Sequence, residues 1–249
     1  MKIKIISIIV VTFNANKKIQ ALLSSIISQK FDCIELIIID GNSTDGTKET
    51  LFSFKEYIDY FESKSDSGIY HAMNKGINNS SGEWLYFIGS DDILVENAVE
   101  EMLSIISICS NSDLIIGNYF ENYESHRTLI DQKPIKFKFQ LLKGCINHQS
   151  LLIRKSLFDT YGLYSQDLKF VSDYEFYFRI PIQIFKNAYY TKFPFCFFNK
   201  SGLSSINTLA VYKERNVVIN KYCGKLIGTM YNLYIKYVSI YFRSNSRLQ

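Results

Sequence analysis

An α/β fold built on a mixed, mainly parallel sheet flanked by helices is predicted by three features of this 249-residue sequence. Short apolar runs at residues 5–13, 34–39 and 84–88 are rich in β-branched and aromatic side chains, as in strands buried on both faces. Segments with helical spacing separate them, the order of a strand, a crossover and a parallel strand. Two of the runs end in carboxylates, Asp40 and the adjacent pair Asp91 and Asp92. An unpaired charge is too costly for the core, so these acids belong at the carboxyl edge of the sheet, where open α/β folds bind ligands.

In chain order, residues 5–13 form the first strand, and Thr12 and Asn14 bring polar groups to its end. Residues 17–29 carry Ile19, Leu22, Leu23, Ile26 and Ile27 at helical spacing. Residues 34–39 are the second strand, and the turn GNSTDG (41–46) leads to another helix. A third, shorter strand is expected at 57–62, a helix at 69–77, the strand 84–88, and a helix from about 95 to 109. The second half predicts a strand at 113–119, a hairpin within 121–135, a short strand at 150–153 and a short helix at 155–161. A helix at 173–186 should be kinked or ended by Pro181. From Tyr212 onward the chain reads as helical. One compact domain over 1–205 with a C-terminal helical extension over 206–249 fits this order.

Hydrophobic residues make up 47% of the chain and aromatic ones 15%, enough for a full core and too many for disorder. The net charge of +4 carries no nucleic-acid footprint, and no nucleic-acid partner is expected. The charge is uneven: from Tyr212 to Gln249 seven basic residues stand against one acid, Glu214. A basic, Tyr-rich end suits an anionic surface. Five scattered cysteines without CxxC spacing argue against a disulfide framework or a zinc site and for a reducing compartment. The opening MKIKIISIIVVTF superficially resembles a leader, but its apolar run is short and Asn14, Asn16, Lys17 and Lys18 follow, so it is read as a buried strand. No stretch reaches the ~18 apolar residues of a membrane span.

Hard oxygen ligands such as Asp91 and Asp92 suit Mg²⁺ or Mn²⁺ holding a diphosphate, although either acid is equally suited to capping the next helix. The wider pattern favours the metal. VVTFN (10–14), IIIDGNSTDGT (37–47), DSGIYHAMNKGI (66–77), GEWLYFIGSDD (82–92), NHQSLLIRKSLF (147–158) and DLKFVSDYEFYFRI (167–180) occur in this order. Together they resemble the family 2 glycosyltransferases, with the GT-A fold, from about residue 5 to residue 205.

That resemblance implies transfer of a sugar from a nucleotide diphosphate to an acceptor hydroxyl, usually with inversion and with a divalent cation, Mn²⁺ or Mg²⁺. It divides the domain into a nucleotide-binding half (1–110) and an acceptor half (111–205). It places Thr12 and Asn14 at the nucleobase or ribose, Asp40 on uracil N3–H, and Asp66 as a further nucleotide-site carboxylate. Lys75 is expected near phosphate. Gly89-Ser90-Asp91 stands where the family writes Asp-x-Asp, with the first acid replaced, which leaves Ser90 beside the donor and Asp91 with Asp92 on the metal. Asp173 matches the base, with Glu175 as the fallback. His148 faces the active site, at metal or donor phosphate. Residues 202–205, GLSS, match a loop near the diphosphate. The Gln-x-x-Arg-Trp motif of polymer-making relatives is absent, so single-sugar transfer is expected.

The expected activity is an inverting, metal-dependent hexosyltransferase using a UDP-hexose, glucose or galactose in β linkage. Its expected acceptor is a lipid-linked sugar such as N-acetylglucosamine-diphospho-undecaprenol in bacterial O-antigen or surface-polysaccharide biosynthesis. The chain would work peripherally at the cytoplasmic face of the cell membrane. Two other classes remain open. A sugar nucleotidyltransferase would want a Gly-rich, basic loop after the first strand, which TFNANKK is not. A degenerate nucleotide-sugar-binding protein would explain the glycine at 89.

Overall fold

The computed structural model describes residues 3–29, 31–122, 126–144, 146–199 and 208–245. The first half alternates β1 (Ile6–Thr12), α1 (Asn16–Ile27), β2 (Ile34–Asp40), α2 (Thr47–Ser53), β3 (Tyr60–Ser63), α3 (Ile69–Asn79) and β4 (Trp84–Gly89). A two-residue strand β5 (Ile93–Leu94) and α4 (Ala98–Ile108) follow. The second half holds β6 (Leu114–Asn122), β7 (Arg127–Ile130), β8 (Leu151–Arg154), α5 (Ser156–Tyr161), α6 (Ser172–Arg179), α7 (Ile182–Lys186) and β9 (Tyr189–Asn199). The chain closes with α8 (Thr208–Cys223) and α9 (Lys225–Asn245).

Among the described residues the strands form one sheet in the order β3-β2-β1-β4-β8-β6-β9-β5, with β7 on β6. β3, β2, β1 and β4 are parallel, as are β6 and β9; the remaining pairs are antiparallel. The chain winds outward from β1 through β2 to β3, then returns to the other side of β1 as β4. That reversal is a switch point, and it leaves a crevice beyond the carboxyl ends of β1 and β4. In register, Thr12 lies opposite Asp40, and Val11 opposite Gly89.

Strand periodicity sorts the core into two layers. Ile9, Ile37, Ile39, Leu85 and Phe87 face α3 and α6, while Ile8, Val10, Leu36, Ile38, Trp84 and Tyr86 face α1 and α4. α3 approaches β1 so closely that a Cβ at Gly76 would lie 2.4 Å from Ile9 Cγ2. Only glycine permits that distance, which sets the depth of the helix that carries Tyr70.

Several boundaries differ from expectation. Residues 55–57 form a 3₁₀ turn, so the third strand starts later, at Tyr60. Pro181 divides the expected 173–186 helix into α6 and α7, because its ring and missing N–H cannot continue α6. β5 and the long β9 were not expected. β5 has only two residues, and β9 contains Pro194, which masks its strand pattern. Gly224, with φ +87°, breaks the C-terminal helical region in two. The GLSS match at 202–205 lies outside the described residues.

Candidate active site

β4 ends in a turn that sorts its two acids. Asp92 is buried; its carboxylate accepts the Gly89 N–H at 3.1 Å and the Asn199 N–H at 2.8 Å, tying the end of β4 to the end of β9. Burial pushes its pKa up to about 7, against the lowering effect of the two amides and of His148. Asp92 thus closes the turn at the end of β4. The same geometry accounts for Gly89, because a Cβ there would meet Asp92 Oδ2 at 2.7 Å and Asp91 Oδ1 at 3.3 Å. The folded-back Asp92 carboxylate occupies the space that a side chain at position 89 would need. Asp91 stays half-buried at the crevice, with Lys18 Nζ of α1 at 3.4 Å from Oδ2, and Ser90 is half-buried beside it.

α6 carries Asp173 in its first turn. Oδ1 accepts the Tyr70 hydroxyl at 2.6 Å, and His148 Nδ1 lies 3.3 Å from Oδ2. His148 begins a 3₁₀ turn held by the Tyr86 hydroxyl on Gln149 O (2.6 Å) and by the Gln149 N–H on Asn147 Oδ1 (2.8 Å). Burial raises the Asp173 pKa, but the hydrogen bond and charge of His148 and the Tyr70 hydroxyl outweigh it, so the carboxyl lies below its ordinary value. Burial and the Asp173 charge in turn push the Tyr70 hydroxyl well above its own. His148 is thus engaged with the carboxylate of Asp173.

The pairing sets a pH dependence. An acid with a depressed pKa stays ionised until the pH falls through that low value, so Asp173 is a carboxylate throughout the neutral range. In His148→Ala, burial acts with less opposition and the pKa rises. We expect the acid limb of the pH profile for nucleotide release to move to higher pH, and Tyr70→Phe to move it in the same direction. Limbs that coincide with wild type would show that His148 does not tune this group.

The nucleotide edge differs more from expectation. Asp40 is fully buried and accepts the Ser43 N–H (3.0 Å), the Ser43 hydroxyl (2.5 Å) and the Ser63 hydroxyl (2.6 Å). It braces the turn after β2. Lys75 pairs with Glu62 at 2.9 Å. Asn14, at φ +49°, gives its side-chain oxygen to the Thr44 N–H (2.9 Å), pinning one loop to the other. Thr12 Oγ1 is buried without a hydrogen-bond partner. Beside it the Gly41 N–H donates to Thr12 O, and a Cβ on Gly41 would meet Asp66 Oδ2 at 3.0 Å and the Phe13 ring at 3.3 Å. Phe13, Gly41 and Asp66 therefore border one recess, with the Phe13 ring exposed.

Sequence reasoning missed Tyr70, Lys18 and the hold of α8 on α6. Glu175, named as a fallback base, is buried in a cluster with Arg179 Nε (2.8 Å), Lys221 Nζ (3.2 Å) and the Tyr222 hydroxyl. Glu214 of α8 accepts the Lys169 and Phe170 amides just before α6, at 2.9 and 2.8 Å. α8 thus grips both ends of the segment that carries Asp173. The signal available in the sequence was Glu214 itself, the one acid of a basic tail.

Among the described residues no cluster of three or more His, Cys, Asp or Glu side chains forms a cation cage. Asp91 is one partly exposed carboxylate at a crevice, which fits the mode of Mg²⁺ and Mn²⁺ that uses one or two carboxylates and draws its other oxygens from phosphates and water.

A family model described as Glycosyl transferase family 2 matches residues 7–162. An uncharacterized glycosyltransferase of Rickettsia typhi is 30% identical over 185 residues, 70% of this chain and 58% of the relative, so the chain spans under two thirds of that protein. A PGL/p-HBAD biosynthesis glycosyltransferase of Mycobacterium tuberculosis is 31% identical over 179 residues, 70% of this chain and 68% of the relative. Among solved structures, S. aureus TarS in complex with UDP-GlcNAc superposes with TM-score 0.69 at 18% identity, covering 88% of this chain and 67% of that one. Glucosyl-3-phosphoglycerate synthase from M. tuberculosis, in complex with Mn²⁺, UDP and glucosyl-3-phosphoglycerate, gives TM-score 0.62 at 14% identity, covering 89% and 80%. At such identities these two speak for the fold.

Proposed function

The chain belongs to glycosyl transferase family 2, and from that premise we propose that it is an inverting, metal-dependent hexosyltransferase using a UDP-sugar donor. The observations that carry the reading are two carboxylates: Asp91 at the end of β4, and Asp173 on α6 held by Tyr70 and His148. His148 links the two sides, since its charge acts on both Asp173 and Asp92.

In this reading the base of the nucleotide lies in the recess of Phe13, Gly41 and Asp66. The Asp66 carboxylate takes the acceptor role expected of Asp40, and Thr12 Oγ1 supplies the unpaired polar atom. Asp91 would hold Mn²⁺ or Mg²⁺, and the cation would supply stabilisation of the negative charge that builds on the leaving UDP. Lys18 stands beside it. Each Asp173 oxygen keeps a lone pair beyond its protein partner. The carboxylate takes the acceptor hydroxyl's proton as that oxygen bonds to the anomeric carbon, and the bond to the diphosphate breaks on the opposite face.

A lipid-linked sugar diphosphate is the proposed acceptor, met peripherally at a membrane; no described helix is long and apolar enough to cross one. Exposed Leu226, Met230, Leu233 and Tyr234 on α9 support that placement. The relative in PGL/p-HBAD biosynthesis is compatible with a glycolipid product. The test is a panel of nucleotide sugars with a synthetic lipid-diphosphate sugar, with and without Mn²⁺, read by mass spectrometry. One UDP-hexose should give acceptor plus a single hexose, only with metal. Hexose addition that ignores metal, or a product carrying nucleotide, would reject it.

A further inference from the structure

We propose that residues 133–143 form a second membrane-binding element, in which Phe137 and Phe139 enter an anionic bilayer between lysines; this rests on the reading of an enzyme with a lipid-linked acceptor. The segment is KPIKFKFQLLK, with Lys133, Lys136, Lys138 and Lys143 and no acid. Its anchors and its tip alternate: Ile135 and Leu141 are buried in the core, while Phe137 and Phe139 are 57% and 64% exposed. The two rings stack with centroids 5.6 Å apart and planes 10° from parallel.

This is a built turn rather than a loose one. Gln140 Oε1 accepts the Lys136 and Phe137 amides at 2.7 and 2.8 Å, and the Ile135 N–H donates to the Tyr190 hydroxyl at 2.9 Å. Holding two phenyl rings outward in water costs apolar hydration that burial would recover. An open cavity of about 380 Å³ adjoins them, with Phe137, Phe185 and Tyr190 in its wall and Lys136 and Lys186 among its lining.

Charge and continuity identify the occupant. Aromatic rings flanked by exposed lysines match the boundary of an anionic bilayer, where rings sit among acyl chains and ammonium groups reach the phosphates. The turn also abuts the tail. Lys138 Nζ lies 6.0 Å from the Tyr222 ring centroid, and a Cβ on Gly144 would meet the Arg215 guanidinium at 2.6 Å. Both partners lie on α8, whose neighbour α9 carries the other exposed apolar residues.

The test is co-sedimentation of the full chain with vesicles of phosphatidylcholine alone or mixed with phosphatidylglycerol, at low and high salt. UDP binding is measured by calorimetry on the same samples. Wild type should bind the mixed vesicles and lose binding in high salt. Phe137→Ser/Phe139→Ser should bind about tenfold or more weakly, with its circular dichroism, melting and UDP affinity unchanged. Conservative Phe137→Leu/Phe139→Leu should keep most of the binding. Equal vesicle binding by wild type and the serine variant, or none by wild type, would overturn the proposal. So would sedimentation velocity showing that the rings instead hold a dimer. The two readings separate cleanly: lost vesicle binding with UDP binding kept rejects only this element, whereas absent UDP binding with vesicle binding kept rejects only the transferase reading.

Discussion

Asp173→Asn will leave the protein folded and reduce sugar transfer by about 10²- to 10⁴-fold, the usual contribution of a positioned general base. The fold should survive because asparagine is nearly isosteric: its oxygen still accepts the Tyr70 hydroxyl, and its amide can donate to His148 Nδ1 once the imidazole is neutral with its proton on Nε2. Asp173→Ala is the poorer test. It strands two partly buried polar groups, at about 1–3 kcal/mol each, and confuses folding with chemistry. UDP affinity should be unchanged in the asparagine variant, since Asp173 lies on the acceptor side. Thermal melting, calorimetry with UDP and initial rates of hexose transfer separate these effects. Transfer at wild-type rates would remove Asp173 from the mechanism, and lost UDP binding would move it to the donor side.

Asp91→Asn should abolish the metal dependence of donor binding. Outer-shell partners of bound metals are worth about 10–100-fold in affinity, so loss of the one proposed protein ligand should cost at least that. Calorimetry of UDP with Mn²⁺ should show a fall of about a hundredfold or more. UDP without metal should bind as in wild type or slightly better, because Lys18 is released from its carboxylate partner. Asp92→Asn makes the contrast. It removes a carboxylate engaged by two backbone amides, so its first effect should be on melting rather than on Mn²⁺. Mn²⁺-dependent UDP binding that survives Asp91→Asn intact would place the cation elsewhere.

The frame of the site was legible in the sequence because it is local. Buried strands are apolar runs, their ends are polar, and the parallel order brings those ends to one edge, so Thr12 meets Asp40 and Val11 meets Gly89 as the topology requires. Assignment of the individual acids was not legible, because it depends on partners distant in sequence. Asp40 is hydrogen-bonded partly by Ser63, 23 residues on, and Asp92 by the Asn199 amide, 107 residues on. Asp173 takes its hydrogen bond from Tyr70, 103 residues away. Lys75 takes its ion-pair partner, Glu62, from the end of β3. Glu175 resembled a spare base because nothing near it in sequence announces the cations and hydroxyl that α8 brings. A polar strand end is visible in one dimension; whether its charge is already satisfied is a tertiary fact.

The most direct measurement of the central claim, that Asp91 and Asp173 face each other across one donor site, is Mn²⁺ anomalous diffraction from crystals grown with UDP. The account predicts a single strong peak about 2 Å from an Asp91 carboxylate oxygen, shared with the diphosphate, with uracil beside Asp66 and the Asp173 carboxylate facing the diphosphate across the cleft. A peak on Asp40 or Asp66, or a diphosphate bound away from the ends of β1 and β4, would contradict it.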